Sequence, residues 1–294
     1  MYDIKALYEA SSVQEAIELL TEHPEAHIIA GGSDVLIKIR EGRMAGCELV
    51  SIYGIDELRG ITMDDDGTIR IRPLTSFSHI TKNPIIQEHI HVLGEAVDMV
   101  GGPQIRKIGT IGGNTCNGVT SADSASTLHA WDAIMEITGP NGVRQVPIRE
   151  FYVSAGKVVL EHNEVLTAIL IRRESYVGYK GHYIKYGMRN AMEIASLGCS
   201  VNVRLSGDKQ TIDRCRIAYG VAGPVPMRAP SAEAVANGSA MTEDMVNEFA
   251  LAVLNDINPR DSWRASKAFR QHIAVEMARR ALIESIHRAG GEIK

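Results

Sequence analysis

The sequence predicts an α+β protein. Three observations favour this class: an amphipathic helical segment lies near the N-terminus, short strand-like segments occur through the middle, and the last part is helical. The chain has 294 residues, of which 45% are hydrophobic. That is enough to bury a sizeable core, and the length is typical of two domains. We find no internal repeat and no low-complexity tract.

The N-terminal segment has the signature of a helix start. Ser12 and Glu15 form a capping-box pattern, apolar residues follow at helical spacing, and Pro24 ends the helix. The elements predicted next are a strand at 27–30, a tight turn at 31–34, a helical or extended run from Val35, and a strand at 49–52.

The middle of the chain mixes strands with helices. Ile69 and Ile71 alternate with polar neighbours, as in a half-buried strand. Asp123 and Ser124 are predicted to cap a helix that runs to Trp131. Further predictions are a helical stretch at 85–100 and strands at 136–138, 157–160 and 166–171.

A polar segment at 172–181 predicts a domain boundary. After it come candidate strands at 183–186, 200–205 and 214–219. Thr242 is predicted to cap one helix, and a last helix ends at Gly290 and Gly291.

Charge and cysteine content exclude several classes. The formal charge is −5, with 36 acidic and 31 basic residues, which gives no sign of nucleic-acid or anionic-membrane binding. The four cysteines form no C-x-x-C pair, so the chain is not expected to hold a zinc ion or an iron–sulfur cluster alone. We expect reduced, mostly buried thiols in a cytoplasmic protein. Neither a signal peptide nor a membrane span is predicted.

Two glycine loops carry most of the functional information. We call residues 28–34 (IIAGGSD) the first glycine loop and residues 110–114 (TIGGN) the second. Paired glycines permit positive φ and leave no Cβ in the way of a ligand, and successive amides can converge on an anion. The two loops could therefore grip a pyrophosphate, although either one alone is most often a plain turn. Neither matches the G-x-G-x-x-G fingerprint or the P-loop.

The order and content of the two loops resemble a known family. AGGSD at 30–34 followed by IRKIGTIGGN at 105–114 resembles the vanillyl-alcohol-oxidase (PCMH)-type FAD domain of molybdenum hydroxylases. Segments 102–123, 185–189 (KYGMR) and 262–272 (SWRASKAFRQH) resemble the FAD-binding subunits of bacterial xanthine dehydrogenases. The resemblance covers essentially the whole chain.

The resemblance implies an architecture and a set of FAD contacts. It implies an FAD-binding domain at 1–176, with α/β subdomains at about 1–56 and 57–176, and a C-terminal α/β domain at 177–294 that is like the CO dehydrogenase flavoprotein. It implies no catalytic side chain and no metal ligand in this chain. The implied FAD contacts are His27, Ile28, Ile29, Ala30, Gly31, Gly32, Ser33, Asp34, Val35, Gly109, Thr110, Ile111, Gly112, Gly113, Asn114, Asp123, Val165, Leu166 and Lys185.

Several of these contacts have alternative interpretations. Asp123 is also a good helix cap, Val165 and Leu166 are also candidates for plain core, and Lys185 could be a solvated surface lysine. The chain departs from the family at Glu193, where relatives usually show aspartate.

The resemblance also implies a reaction and partners. The family hydroxylates purines or related heterocycles at a molybdenum centre, and electrons pass through two [2Fe–2S] clusters to FAD and then typically to NAD⁺. The implied partners are a molybdopterin-binding large subunit and a [2Fe–2S] small subunit, assembled as a dimer of heterotrimers.

Three alternatives stay open at this point. The chain could serve another molybdenum hydroxylase that acts on nicotinate, CO or an aromatic thioester. It could be a flavin-free scaffold of the same fold, or a self-contained flavin oxidase. The last is disfavoured because no catalytic residue is apparent, and His89 and His91 lack a third metal ligand nearby.

Overall fold

The computed structural model describes residues 2–294 and contains three consecutive α/β units. The first unit is a parallel sheet with strand order β1-β3-β2. Its core includes Ile17, Leu20 and Val50. The elements of this unit are β1 (Ile4–Glu9), α1 (Val13–Glu22), β2 (Ala26–Ile29), α2 (Val35–Arg40) and β3 (Cys47–Ser51).

The start of α1 confirms half of the predicted capping box. The Ser12 hydroxyl accepts from the Glu15 amide at 3.1 Å, as predicted. The reciprocal contact is displaced by one residue, because the Glu15 carboxylate binds the amide of Ser11 at 2.8 Å and its hydroxyl at 2.5 Å. The strand β1 was not predicted.

The second unit holds an antiparallel sheet with strand order β4-β5-β10-β6-β7 and a layer of helices against it. Every residue of β10 is buried, as its continuous apolar run indicates. The edge strand β7 was not predicted, because its short GVRQVP sequence is mostly exposed and has no continuous apolar run. The elements of the second unit are a 3₁₀ turn (Asp56–Leu58), β4 (Ile61–Met63), β5 (Ile69–Ile71), α3 (Phe77–Lys82), α4 (Pro84–His89), α5 (His91–Asp98), α6 (Pro103–Ile108), α7 (Ile111–Cys116), α8 (Asp123–Ala130), β6 (Ile134–Gly139), β7 (Gly142–Pro147), α9 (Ile148–Phe151), β8 (Tyr152–Ser154), β9 (Lys157–Val158), β10 (Val165–Ile171) and α10 (Arg173–Tyr176).

The third unit is an antiparallel sheet with strand order β11-β12-β13-β14, packed against helices. Its core includes Val201, Phe249 and Leu282. Thr242 caps α12 through the Met245 amide, as predicted. The elements are β11 (Tyr179–Tyr186), β12 (Leu197–Leu205), β13 (Ile212–Gly220), β14 (Met227–Arg228), α11 (Pro230–Ala236), α12 (Glu243–Ala252), a 3₁₀ turn (Val253–Asn255) and α13 (Lys267–Arg288).

Specific polar contacts join the units. The His162 ring lies 2.9 Å from the Leu20 carbonyl, which ties the second unit to α1. Arg288 on α13 binds Glu95 of α5 at 2.7 Å and the Gly181 carbonyl at 3.0 Å. Helix α8 packs against β12 and β13, so the second and third units share a buried interface. Among residues 2–294, no helix is long and apolar enough to cross a membrane.

Candidate functional site

A cleft of about 850 Å³ is bordered by the first and second units. Both glycine loops line it, and residues 192–194 of the third unit complete its edge. This volume lies in the range of small-molecule and cofactor sites. The glycine motifs are therefore brought together, although they are far apart in the sequence.

The first glycine loop presents free amides to the cleft. It leaves β2 at Ile29 and enters α2 at Val35. Gly32 adopts φ +74°, a left-handed conformation that favours glycine. Within the described residues, the amides of Gly31, Gly32, Ser33 and Asp34 donate no hydrogen bond. Such a run of unpaired N–H groups is suited to the oxygens of an anionic ligand.

The two loops approach each other closely at Gly31. A Cβ at this position would lie 2.0 Å from the carbonyl oxygen of Ile108, which no side chain can tolerate. Gly31 therefore sets the distance between the first loop and the segment that leads into the second.

The second glycine loop differs from our expectation. The amides of Ile111, Gly112, Gly113 and Asn114 already have protein acceptors, namely the Thr75 carbonyl, the Pro73 carbonyl, the Thr110 hydroxyl and the Thr110 carbonyl. The hypothesis that bare amides of both loops grip a pyrophosphate is wrong for the second loop. Its sequence starts a short helix, α7, so the Thr110 cap and the first helical bond use the amides of Gly113 and Asn114. The amides of Ile111 and Gly112 donate to the segment at 73–75.

The two glycines of the second loop have different surroundings. Gly112 is buried, and a Cβ there would lie 2.4 Å from Pro73 Cβ. Gly113 is exposed on the cleft, and a Cβ there would meet only the Thr110 hydroxyl, at 2.9 Å. Gly112 therefore serves packing, whereas Gly113 leaves space in the cleft.

Lys38 joins the first glycine loop to the end of α7 and was missed at the sequence level. Its ammonium binds Asp34 Oδ2 at 2.6 Å and Asn117 Oδ1 at 2.9 Å, and it lines the cleft. The i,i+4 spacing from Asp34 was the available signal. The contact with Asn117 depends on the tertiary fold.

Asp123 lies in a buried network at the cleft wall. Its carboxylate accepts from the Tyr183 hydroxyl at 2.8 Å and from the Lys185 ammonium at 2.8 Å. Burial raises the pKa of Asp123, and the Lys185 charge and the two hydrogen bonds oppose that rise. Burial and the neighbouring Asp123 charge raise the pKa of Tyr183 well above its usual value.

The predicted capping role of Asp123 is wrong. The N-cap of α8 is Ala122, which makes no side-chain cap, and Asp123 is the first helical residue. The carboxylate is instead directed to β11, because two donors on that strand satisfy it better than the helix backbone.

Lys185 is not a solvated surface lysine. Its side chain is 10% exposed, and its ammonium also donates to the Met99 carbonyl at 2.9 Å. It does not line the cleft, and its link to the cleft passes through Asp123.

Val165 and Leu166 are both core residues and residues of the cleft wall. Val165 belongs to the core of the first unit and Leu166 to that of the second. Both also line the cleft. They are buried wall residues, 1% and 3% exposed.

Most of the residues predicted from the resemblance line the cleft. The exceptions are Ile29, Ile111 and Lys185. The lining residues are His27, Ile28, Ala30, Gly31, Gly32, Ser33, Asp34, Val35, Gly109, Thr110, Gly112, Gly113, Asn114, Asp123, Val165 and Leu166.

A segment of the third unit reaches the cleft from the far side. Met192 adopts φ +52°, and its side chain lies beside Gly102 of the second unit. Glu193, the position that departs from the family, pairs with Arg189 at 3.1 Å. Its longer side chain is therefore used in a contact within its own loop.

The site fits an extended dinucleotide such as FAD. The free amides and Lys38 suit the pyrophosphate, Gly113 leaves open space, and apolar walls at Leu166 and Phe77 suit flat rings. Neither magnesium nor a P-loop is needed for this arrangement.

Comparison with known proteins agrees with this geometry. Residues 2–172 match the model of the FAD binding domain in molybdopterin dehydrogenase, and residues 182–285 match the CO dehydrogenase flavoprotein C-terminal domain. The predicted two-part α+β fold class is confirmed.

Individual relatives match most or all of the chain. The chain is 40% identical to the putative xanthine dehydrogenase FAD-binding subunit XdhB of Escherichia coli K12, over 100% of both chains. It is 30% identical to the carbon monoxide dehydrogenase medium chain of Hydrogenophaga pseudoflava, over 92% of this chain and 93% of that one. A solved structure of carbon monoxide dehydrogenase from that organism superposes with a TM-score of 0.92, covering 98% of this chain and 99% of that chain at 30% identity. The chain belongs to the family of FAD-binding subunits of molybdenum hydroxylases.

Proposed function

We propose that this chain is the FAD-binding electron-transfer subunit of a xanthine dehydrogenase, which oxidises hypoxanthine and xanthine. The observation that carries the proposal is the 40% identity to a xanthine dehydrogenase FAD-binding subunit over the whole of both chains. The carbon monoxide dehydrogenase medium chain, at 30% identity, supports the family but not that substrate.

The residues of this chain bind and orient the cofactor in this proposal. When bound, FAD supplies the redox chemistry, taking electrons that reach it from [2Fe–2S] clusters and giving them to an acceptor, for which we propose NAD⁺. The free amides of Gly32, Ser33 and Asp34 hold the pyrophosphate, and Lys38 neutralises the Asp34 carboxylate beside it. Asp123, fixed by two donors, orients polar groups of the ligand.

The metal centres of the proposed enzyme are assigned to other subunits. Within residues 2–294, no group of three or more His, Cys, Asp or Glu side chains is arranged to hold a metal ion. We therefore propose that a molybdopterin-binding large subunit and a [2Fe–2S] small subunit supply the other centres, in a cytoplasmic dimer of heterotrimers. We also propose the domain limits 1–176 and 177–294, with a subdomain limit near 56.

The alternative is another molybdenum hydroxylase of the same family. A relative named nicotinate dehydrogenase FAD-subunit, from Eubacterium barkeri, is 28% identical over 85% of this chain. In this proposal the flavin subunit does not contact the hydroxylated substrate. The identity of the large subunit therefore distinguishes a xanthine dehydrogenase from a nicotinate dehydrogenase.

Purification from the native source tests this proposal. We expect a flavin-containing complex with a large and a small subunit that reduces NAD⁺ with xanthine. The isolated chain should bind FAD and show no xanthine turnover. A complex that hydroxylates nicotinate and not xanthine, or xanthine turnover by the lone chain, would contradict it.

A further inference from the structure

A second cleft, of about 360 Å³, lies on the third unit and shares no lining residue with the first. It opens where the end of the second unit meets β11, β12 and β13. Clefts at such seams are common ligand sites. Its walls are mostly polar, and the lining residues are Glu174, Tyr179, Arg204, Arg214, Cys215, Arg216, Arg228, Glu233 and Asn237.

The strand register concentrates arginines on one face of the sheet. Tyr179 of β11 lies opposite Arg204 of β12, which in turn lies opposite Arg214 of β13. The guanidinium carbons of Arg204 and Arg216 lie 5.1 and 4.6 Å from the Tyr179 ring centroid. Like charges directly opposite each other destabilise a sheet, and the Asp213 carboxylate, which pairs with Arg204 at 2.6 Å, offsets only one of the two charges.

Two of the arginines are committed to structural contacts. Arg228 pairs with Glu233 and, at 2.7 Å, with Asp132. Arg216 binds Asp132 at 3.0 Å and the Ser175 carbonyl at 2.8 Å. These contacts neutralise the half-buried carboxylates of Asp132 and Glu233 beside the cleft.

The other two arginines have donors to spare. Arg204 uses only its Nε, which binds the exposed Asp213 at 2.6 Å. The Arg214 backbone pairs with β12, but among residues 2–294 its side chain has no hydrogen-bond or ion-pair partner. The remaining acidic group, Glu174, lies exposed at the rim. Most N–H donors of these two guanidinium groups are therefore unpaired, and both side chains line the cleft.

We propose that this cleft binds a phosphate group, either free or carried by a nucleotide, between Arg204 and Arg214. Guanidinium groups bind oxyanions through two parallel N–H bonds each. A phosphate has enough oxygens to bind both guanidinium groups in this way. A carboxylate has only two oxygens, which a single arginine occupies, so phosphate fits the pair better. Bound phosphate would also remove the repulsion between the two cross-strand arginines.

Calorimetric titration of the FAD-saturated protein tests the proposal. FAD fills the first cleft, and sodium phosphate or AMP is titrated at constant ionic strength set with sodium chloride. We expect saturable binding that Arg214→Gln weakens at least tenfold and that the double variant R204Q/R214Q removes. Tighter binding of AMP than of phosphate would assign a nucleotide, and equal binding would assign the free ion.

The control is Arg280→Gln, which removes the same charge from a side chain that is 70% exposed on α13. It should bind both probes as the wild type does. The melting temperature of Arg214→Gln should not fall, because that side chain is exposed and unpaired and its removal relieves the repulsion with Arg204. Failure of both probes to bind, or equal binding by wild type and R204Q/R214Q, would overturn the proposal.

Discussion

Single glycines in the two loops have opposite surroundings, and this contrast separates ligand binding from folding. Gly113 is exposed on the cleft and packs against little, whereas Gly31 is pressed against the Ile108 backbone. The paired-glycine motif suggests one shared role for these residues. Their neighbours in the fold show that the roles differ.

Gly113→Leu should remove flavin without unfolding the protein. The new side chain would enter the cleft, where only the Thr110 hydroxyl is close. We expect loss of the flavin absorbance bands, with a free energy of unfolding of the flavin-free protein within about 0.5 kcal/mol of the wild type. The control is Gly207→Leu, at a turn glycine with open space around it. Normal flavin content in Gly113→Leu would show that the cofactor lies elsewhere.

Gly31→Ala should instead destabilise the fold. The added methyl group would lie 2.0 Å from the Ile108 carbonyl oxygen, so the two loops must move apart. We expect about 1–3 kcal/mol of destabilisation in urea unfolding, together with weaker FAD binding. A variant as stable as the wild type would mean that the loops can separate at no cost.

At the level of secondary-structure elements, α8 is buried at every position from Asp123 to Ala130. It lies between the helices of the second unit and the sheet of the third. A helix buried on all sides has a weak amphipathic pattern, so the prediction of this helix depended on candidate cap residues at its start. Of its buried polar side chains, Asp123 and Ser124 bind partners on other elements. Thr127 and His129 instead bond to carbonyls within the helix.

The bond between α8 and β11 can be tested with Lys185→Met. This change leaves the Asp123 carboxylate buried and opposed only by the Tyr183 hydroxyl. We expect a destabilisation of about 3 kcal/mol at neutral pH, measured by denaturant unfolding. The double variant K185M/D123N should recover much of that loss, because no charge is then buried. Equal loss in the single and double variants would rule out a charge effect.

A buried histidine on the same helix gives a pH prediction. Burial lowers the pKa of His129 to about 4, and its Nδ1 lies 2.7 Å from the Ala125 carbonyl. Below pH 6.5, His129 takes up a proton in the unfolded chain but stays neutral in the folded protein. The free energy of unfolding therefore falls as the pH drops from 6.5 towards 4.

His129→Gln should flatten that acid-side loss. The slope of unfolding free energy against pH between about 6.5 and 4 should fall by up to about 1.4 kcal/mol per pH unit. His272→Gln, at an exposed position on α13, serves as the control. Identical slopes in wild type and His129→Gln would show that the imidazole is protonated in the fold.

At the level of the whole molecule, local signals in the sequence were sufficient for the fold class and for most elements. The apolar run of β10 and the helix caps at Ser12 and Thr242 involve only residues close in sequence, so the sequence alone was enough to predict them. The edge strand β7 was missed because it is mostly exposed, so its residues show no buried apolar face.

Features that depend on tertiary packing could not be predicted. The distinction between Gly112 and Gly113 depends on the contact with Pro73, and the Lys38–Asn117 bond joins distant segments. The second cleft was also invisible in the sequence, because its arginines meet only through the register of β12 and β13.

The position of the diphosphate in a crystal structure of the FAD-bound protein is the most direct test. We expect phosphate oxygens at about 2.7–3.2 Å from the amides of Gly32, Ser33 and Asp34. The amides of Gly112 and Gly113 should keep their protein acceptors. A diphosphate bound away from the first glycine loop, or one that draws the second-loop amides out of α7, would contradict this account.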